Sequence, residues 1–446
     1  MTEWECPVAG RAADSRRNWR PAVLGCLAFL AFSAAGAEDD VAAPLEVPPA
    51  AEDRIISLPY GFFNESFGLA AGYVYSVAGY PQPGAGVLGT VMVGTEGSAM
   101  GFFMGQNIRV FGIERLFFDP ILSVGYFGDV DAYVSGNPDF PDERAGANDS
   151  DPDNFITGSG WDTFFRLRFK YLLPIGHGRE QLIPSYRLDG GLLESGATGG
   201  ESFNPLKSGR TFVEVRPFYR SQNIENDDLD EEQITNGAEF SLFWDNRDYP
   251  TSPSRGNALS LKVARDWGIG QSDDSWTALS AEYDHYISLG ATRRFRQRVL
   301  ALDFWTSYSP TWDVAVDGTI SHRPPAFSGA TIGGLMRMRA YPAQRFNDQS
   351  AIYYAAELRL IPEWNFFNNF PDLQERLGVK WIQFVGLVEA GRVAPDWDFS
   401  ELHRDMKWNA GLGVRAWAKG LVVRVDMAIA DEGFGVQMMV SQPFQF

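Results

Sequence analysis

Residue types that commonly perform catalysis are sparse in this chain of 446 residues. None of its four histidines stands in an HExxH zinc motif, and no GxSxG hydrolase motif occurs. The segment 411–416 resembles part of a dinucleotide-binding fingerprint, but it lies in a strand-like alternating pattern that continues into another strand, not a helix. We therefore predict no catalytic residues, no cofactor and no enzymatic activity. The four histidines are His177, His285, His322 and His403.

One acidic run has the residue types of a calcium-binding loop. Asp149, Asp151 and Asp153 occupy alternate positions, as they do at the start of an EF-hand loop. The run lacks the glycine that such a loop needs at its sixth position, and Gly160 stands where the twelfth residue should be glutamate. A solvated acidic loop is the simpler interpretation, so no metal ligand is predicted.

The elements that position side chains in this chain are predicted to be strands. From about residue 66 almost to the last residue, apolar side chains alternate with small or polar ones. Because successive side chains of a strand point to opposite faces, each segment has one apolar and one polar face. Clear examples are the segments 165–171, 238–244, 259–263, 421–429 and 434–441.

Two architectures are compatible with this alternation: a soluble sandwich of two sheets and a transmembrane barrel. Aromatic residues make up 14% of the chain and are frequent near the predicted strand ends, as in the aromatic girdles of membrane barrels. We therefore predict an all-β fold, a transmembrane antiparallel β-barrel of about sixteen strands. Long loops are expected at residues 135–160, 222–234, 307–350 and 394–407.

The N-terminus has the order of a secretory signal peptide. Three arginines precede an apolar run at 21–32, and small residues follow as far as Ala37. We expect a signal peptide at 1–37, a short periplasmic lead-in at 38–58 and the barrel at 59–446.

Charge and cysteine content narrow the location and the partners. Cys6 and Cys26 both lie in the predicted signal peptide, so disulfides are not expected in the mature chain. The formal net charge of -19 argues against nucleic acid as a partner. An exported, acidic and aromatic-rich chain indicates the cell envelope of a Gram-negative bacterium, and we predict an integral outer-membrane protein.

Three segments have more specific patterns. In the first, at 245–256, two prolines and a glycine stop strand pairing while aspartates cap exposed amides. The second, at 333–346, begins with two glycines and contains Arg339-Ala340-Tyr341. The third is the chain end, an alternating strand that finishes with two aromatic residues on its lipid-facing side. The residues concerned are Asp245, Arg247, Asp248, Pro250, Pro253, Arg255 and Gly256 in the first segment, and Phe444 and Phe446 in the third.

Together these segments resemble the BamA/TamA superfamily of outer-membrane barrels (bacterial surface antigen type), which insert or translocate proteins. The resemblance covers nearly all of 59–446. It implies that 245–256 is a periplasmic turn, that 333–346 is the tip of an extracellular loop (about 307–350) folded into the lumen, and that the terminal aromatic pair closes the barrel. Ala340 replaces the family's usual glycine, and the lead-in is too short for the POTRA domains that family members usually carry.

The resemblance also implies an anchor for the inward loop. In that family the signature arginine, here Arg339 beside Tyr341, is held by acids of the next two strands. The matching residues are Glu357 and Glu389, and counting alternate positions places both on the inner face. An arginine between two carboxylates makes strong charge-assisted hydrogen bonds. The alternative is that all are ordinary solvated charges of a wet lumen.

The function implied by the resemblance is passive assistance to the insertion, assembly or translocation of outer-membrane proteins or lipids. A seam between the first and last strands, expected near 66–77 and 434–446, would open and pair with a client strand. The expected partners are outer-membrane lipid and lipopolysaccharide, unfolded outer-membrane proteins and a separate periplasmic protein. The alternatives are a passive channel or porin constricted by the loop 307–350, and a surface-displayed structural protein.

Overall fold

The computed structural model describes residues 54–440, apart from 65, 111, 135, 227–229, 317–318 and 419–420. The predicted signal peptide and the terminal Phe444 and Phe446 therefore lie outside the described residues. No helix in the described part of the chain is long and apolar enough to cross a membrane.

Strands dominate the described residues, with two short α-helices and two 3₁₀ turns (Gly176–Arg179 and Phe366–Asn369). The helices are α1 (Pro371–Leu377) and α2 (Phe399–Leu402). The strands are β1 (Arg54–Asn64), β2 (Gly68–Ala78), β3 (Gly86–Gly94), β4 (Ala99–Gln106), β5 (Ile108–Arg109), β6 (Leu116–Ala132), β7 (Ile156–Leu172), β8 (Arg187–Asp189), β9 (Leu192–Ser195), β10 (Arg210–Glu225), β11 (Asp230–Arg247), β12 (Gly256–Trp267), β13 (Ser275–Ser288), β14 (Phe295–Tyr308), β15 (Asp313–Val314), β16 (Ile320–Ser321), β17 (Ala330–Ile332), β18 (Phe346–Asp348), β19 (Ser350–Pro362), β20 (Val379–Ala394), β21 (Lys407–Ala418), β22 (Leu421–Ala430) and β23 (Gly433–Val440).

One large antiparallel sheet contains 17 of these strands, and their positions in the sheet follow their order along the chain. β4 and β5 are separated only by Asn107 and both pair with β6, so they share one position in the sheet. The sheet therefore has sixteen positions in a simple meander. The prediction of an all-β fold with about sixteen antiparallel strands is confirmed.

The sheet curls around the loop between β14 and β19, which we call the inner loop (residues 309–349). Phe327 of this loop lies beneath Arg220 of β10, with 4.2 Å between the ring centre and the guanidinium carbon. Gln437 of β23, nine positions further round the sheet, donates a hydrogen bond to the carbonyl of Arg339 at 3.3 Å. One loop can touch such distant strands only if the sheet wraps around it. The predicted loop inside the lumen is confirmed.

The two ends of the sheet meet through side chains. Met438 of β23 packs against a hydrophobic cluster that contains Tyr60 and Phe62 of β1. Within the described residues, no backbone ladder joins β1 to β23. The barrel is therefore closed by side-chain packing along the part of this seam that the structure describes.

The outer face is apolar and the inner face carries the charges. On β22, Met427 and Ile429 are 54% and 63% exposed, whereas Arg424 and Asp426 are fully buried. A water-soluble protein normally shows the reverse, because unpaired charges are costly to bury and apolar side chains gain from burial. The structure is thus a transmembrane barrel whose outer surface faces lipid.

Two details differ from the sequence-based expectations. The first strand is β1 at 54–64, so the predicted seam strand at 66–77 is wrong: that segment is β2, an interior strand. The loop expected at 222–234 is also wrong, because the β10–β11 ladder continues as far as Glu225 and Asp230. The polar residues of this segment suggested a loop. They belong instead to long strands that continue beyond the apolar belt of the barrel. The other three predicted loops lie between strands, at 133–155, 309–349 and 395–406.

With sixteen positions, β1 begins and β23 ends at the same end of the barrel, which we call the terminal end. The turn after β11 also lies there, whereas the inner loop enters from the opposite, far end.

A segment that the sequence analysis did not single out covers the mouth at the terminal end. This terminal-end insert (residues 173–209) connects β7 to β10 and contains the hairpin β8–β9. Trp381 of β20 donates from its Nε1 to the carbonyl of Gly191 in the hairpin at 3.0 Å. Leu188 and Leu192 pack on Trp381 and its neighbours. The insert thus leaves one wall of the barrel and docks on the nearly opposite wall.

Candidate functional site

Arg339, at the tip of the inner loop, is fully buried in a cage of three carboxylates. Its Nη1 donates to Glu357 at 2.8 Å and to Asp426 at 2.6 Å, and its Nε donates to Glu389 at 2.9 Å. The backbone N–H of Arg339 donates to the second oxygen of Glu389 at 2.7 Å. Tyr353 donates its hydroxyl to Glu389 at 2.5 Å. The tip is therefore held through both its side chain and its backbone.

Three further arginines complete the network. Arg359 donates to Glu357 at 2.8 Å, Arg415 donates to both oxygens of Glu357 at 2.7 and 3.0 Å, and Arg424 donates to Asp426 at 3.1 Å. All of these side chains are at most 1% exposed. A buried ionic network of this kind is rigid, because removing any member leaves another charge without a partner in a dry environment. The alternative of ordinary solvated lumen charges does not describe these residues.

Arg339, Glu357 and Glu389, which the resemblance implied to be one anchor, lie together in the structure. Asp426 and the three additional arginines were not among the predicted residues. A signal for them was present, because Arg424 and Asp426 alternate with the apolar residues of β22 and so face inward. Alternation alone does not show which of the inward-facing charges lie at the same level along the barrel axis.

Tyr341 anchors the loop at a separate place. Its hydroxyl donates to Asp431 in the β22–β23 turn at 2.6 Å, and it lies 3.2 Å from the carbonyl oxygen of Trp408. Burial raises the pKa of Tyr341 above its ordinary value, and the hydrogen bond to Asp431 raises it further. Tyr341 is therefore a neutral donor at physiological pH that ties the loop to the far end of the barrel.

Arg345 makes a third anchor at the far end. Its guanidinium binds Glu432 through two hydrogen bonds of 2.7 and 3.1 Å and also donates to the carbonyl of Ser150 at 2.7 Å. This arginine is fully buried. It joins the inner loop to the β22–β23 turn and to the acidic far-end loop at 133–155.

Ala340 fits the tip, although the family that residues 333–346 resemble usually has glycine there. The positive φ angles of the tip fall on Gly333, Gly334 and Met338, at 117°, 106° and 59°. Ala340 is not among the residues with positive φ. Since only the left-handed region strongly favours glycine, alanine is accepted at this position without backbone strain.

The tip also contacts the last strand of the barrel. Gly435 of β23 lies so close that a Cβ built on it would be 2.4 Å from the carbonyl oxygen of Arg339. Together with the hydrogen bond from Gln437, this contact places β23 directly against the anchored tip. The loop thus supports the strand that forms one side of the seam.

The turn motif at the terminal end forms its own compact structure. Arg247 binds Asp245 through two hydrogen bonds of 2.8 and 3.0 Å. The carboxylate of Asp248 accepts from the backbone N–H of Tyr249 at 2.8 Å and of Ser254 at 2.9 Å. Burial raises the pKa of Asp248, while these hydrogen bonds act in the opposite direction. Aspartate caps the turn as the sequence pattern suggests.

The remaining residues of the motif form the turn itself and its contact with the terminal-end insert. Pro250 and Pro253 lie in the turn, the N–H of Asp248 donates to the carbonyl of Arg255 at 3.1 Å, and Gly256 has a φ of 99°. The carbonyl of Asp248 accepts from the N–H of Thr198 in the insert at 3.0 Å. This turn and the Arg339 tip are separate sites, at the terminal end and inside the barrel.

No known protein family matches the sequence, and no curated protein is recognisably similar to it. Among solved structures, the crystal structure of BamA from Haemophilus ducreyi lacking POTRA domains 1–3 aligns with 91% of this chain and 74% of that chain. The TM-score is 0.45 and the sequence identity is 10%. The class defined by the residues described above is a transmembrane β-barrel whose lumen holds a loop anchored by buried ion pairs.

Proposed function

We propose that this protein is an integral outer-membrane barrel of a Gram-negative bacterium that assists the insertion or translocation of outer-membrane proteins or lipids. The proposed mechanism is passive and uses the seam between β1 and β23. The terminal end is assigned to the periplasm and the far end to the cell exterior. The observation that carries the proposal is that the anchored inner loop supports β23. This strand borders the seam with β1, which is held by side-chain packing.

The seam is the weakest junction of the described barrel. Every other pair of neighbouring strands shares a ladder, and each ladder hydrogen bond contributes about 0.5–1.5 kcal/mol. β1 also contains Pro59, which has no N–H to donate and is tolerated at a sheet edge rather than in the interior. An edge of this kind can accept an additional strand from a client by strand addition.

The inner loop allows such an edge to remain ordered. Its tip binds acids on β19, β20 and β22 through Arg339, and the same residue accepts a hydrogen bond from β23. The last strand is therefore positioned from inside the barrel, independently of β1. This support favours a role in which the seam opens while the remaining wall stays intact.

The content of the lumen argues against a passive channel in this conformation. The inner loop enters from the far end, and the terminal-end insert covers the other mouth. One of the cavities between the strands and the loop, bordered by Phe327 and Arg337, has a volume of about 60 Å³. Such a volume holds only a few water molecules.

The proposed partners follow from the surfaces. Outer-membrane lipid and lipopolysaccharide would contact the apolar outer face and the far end, and unfolded outer-membrane proteins would contact the seam. A separate periplasmic protein would supply clients at the terminal end.

The test is a reversible disulfide crosslink between β1 and β23, which holds the seam closed. The predicted mature chain has no cysteine, so any disulfide must form between the two cysteines that are introduced. One cysteine is placed on β1 and one on β23, as Ser57→Cys with Val436→Cys and in neighbouring combinations. The matched control is Ala71→Cys with Val93→Cys, which are already opposite in the β2–β3 ladder. The protein is reconstituted in liposomes, and the folding rate of a urea-unfolded outer-membrane barrel is measured.

We expect the oxidised seam pair to abolish any acceleration of client folding and reductant to restore it, with no effect of the control pair. Equal acceleration by the oxidised and reduced seam variants would contradict the proposal. In cells, depletion that leaves the outer-membrane proteome and lipid asymmetry unchanged would contradict it as well.

A further inference from the structure

A second group of charges lies on the inner wall, on strands β13 and β14. Glu282, Asp284 and Asp303 are all buried, and one oxygen of each carboxylate lies within 4.8 Å of the others. Asp284 and Asp303 stand directly opposite each other in the β13–β14 ladder. We propose that these three carboxylates bind a hard divalent cation of the calcium or magnesium type.

The two opposed aspartates repel each other. Like charges directly opposite in a ladder destabilise it, and burial makes the repulsion worse. Arg337 of the inner loop binds Glu282 at 2.9 Å, which neutralises one of the three negative charges. Arg247 and Arg359, which are bound to Asp245 and Glu357 respectively, also place positive charge near Asp284. The remaining repulsion is that between Asp284 and Asp303, which a bound cation would relieve.

Unpartnered oxygens point to the same conclusion independently. Asp303 is 5% exposed and Asp284 is 0% exposed, and the Oδ1 atom of each has no hydrogen-bond partner among the residues that the structure describes. The other oxygen of Asp284 accepts from the hydroxyl of Tyr286 at 3.1 Å. Buried carboxylate oxygens without donors are rare in folded proteins unless they bind a proton or a metal ion.

The donor set identifies the kind of ion. Three carboxylates and no sulfur or imidazole favour calcium or magnesium over softer metals. Calcium–oxygen distances of about 2.3–2.6 Å place opposed ligands up to about 5 Å apart, which is compatible with the observed spacing. Trp305, the ladder neighbour of Glu282, lines a cavity of about 60 Å³ together with Arg337.

Binding would cross-link β13 to β14 and, through Glu282 and Arg337, would reach the inner loop. The competing occupant is a proton, because the carboxylates of Asp284 and Asp303 are close enough to share one. The two occupants differ in one measurable way: only the metal makes stability depend on cation concentration at constant pH.

The experiment uses the purified full-length barrel in detergent micelles at neutral pH, first treated with EDTA. Calcium and magnesium chloride are titrated in, and binding is followed by calorimetry and by thermal unfolding. Terbium provides a further readout, since Trp305 is near enough to sensitise its luminescence. We expect saturable binding of one ion and a midpoint of unfolding that rises with cation concentration.

Asp303→Asn removes one ligand at nearly constant volume, and we expect it to weaken binding at least tenfold and to abolish the cation-dependent rise in the midpoint. Glu282→Gln gives the same readout if the first variant does not fold. The matched control is Asp153→Asn, an exposed acid of the far-end loop, which should bind like the wild type. Equal binding by wild type and Asp303→Asn would overturn the proposal. The proposal would also be overturned if the wild type bound no cation and Asp303→Asn were more stable than the wild type at every cation concentration.

Discussion

Replacing Arg339 is the most direct perturbation of the inner loop. Arg339→Ala deletes three hydrogen bonds from the guanidinium to Glu357, Glu389 and Asp426. The acids are affected unequally, because Glu357 and Asp426 retain other arginines. Glu389 loses its arginine and keeps the hydroxyl of Tyr353 as its side-chain partner among the described residues. Glu389 also keeps the hydrogen bond from the backbone N–H of residue 339, but it no longer has a positive charge beside it in a dry interior.

The expected cost follows from that unpaired charge. Breaking a buried ion pair by removing one partner costs about 3–5 kcal/mol, because the remaining charge stays desolvated. We expect the free energy of unfolding to fall by that amount in Arg339→Ala. Arg339→Lys should lose less, since the ammonium keeps the charge but cannot reach three carboxylates in the planar geometry of the guanidinium.

The assay is urea unfolding of the purified barrel in detergent, followed by tryptophan fluorescence. The matched control is Arg187→Ala, which breaks an ion pair with Glu194 whose side chains are 70% and 52% exposed. An exposed pair contributes about 0–1 kcal/mol. If Arg339→Ala were no more destabilising than this control, the buried cage would not hold the loop, and the proposed support of β23 would fail with it.

Three further outcomes are expected. Tyr341→Phe removes the hydrogen bond to Asp431 and should lower the free energy of unfolding by about 0.5–1.5 kcal/mol in the same urea assay, whereas no change would mean that water replaces this anchor. Gly435→Val places a side chain against the carbonyl of Arg339, so β23 should move and crosslinking yields across the seam should change; unchanged yields would contradict the contact. Trp381→Ala loosens the terminal-end insert and should raise single-channel conductance in planar bilayers, and wild-type currents would show that the insert does not close this mouth.

The strand count and the two faces of the barrel could be predicted because alternation is a local property. Each segment of β22 reveals its inward and outward residues without reference to any other strand. The position of the inner loop came from the resemblance of residues 333–346 to a known family. The ladder register then decides which inward charges meet, and no local pattern encodes it.

The errors have the same physical origin. The loop expected at 222–234 is polar, and polarity alone does not separate a loop from a strand that extends beyond the membrane. β1 was missed because its sequence does not alternate regularly and contains Pro59. The terminal-end insert was missed because its role depends on a contact between Gly191 and Trp381, which are 190 residues apart in sequence. The neighbours of the Asp303 carboxylate likewise depend on the register between β13 and β14, which no local sequence pattern reveals.

For the seam opening proposed above, the strengths of these contacts favour one direction of motion. Extracting the inner loop would break several buried charge-assisted hydrogen bonds at Arg339 and Arg345, each contributing about 1.5–3 kcal/mol. It would also break the hydrogen bond from Tyr341 to Asp431, which contributes about 0.5–1.5 kcal/mol. Moving β23 away from the loop tip would break the hydrogen bond from Gln437, which is neutral and contributes about 1 kcal/mol, together with the close packing of Gly435. The cheaper motion therefore displaces the last strand and leaves the loop in place. A client strand that pairs with β1 would replace the side-chain packing at the seam with ladder hydrogen bonds, which favours this direction of opening.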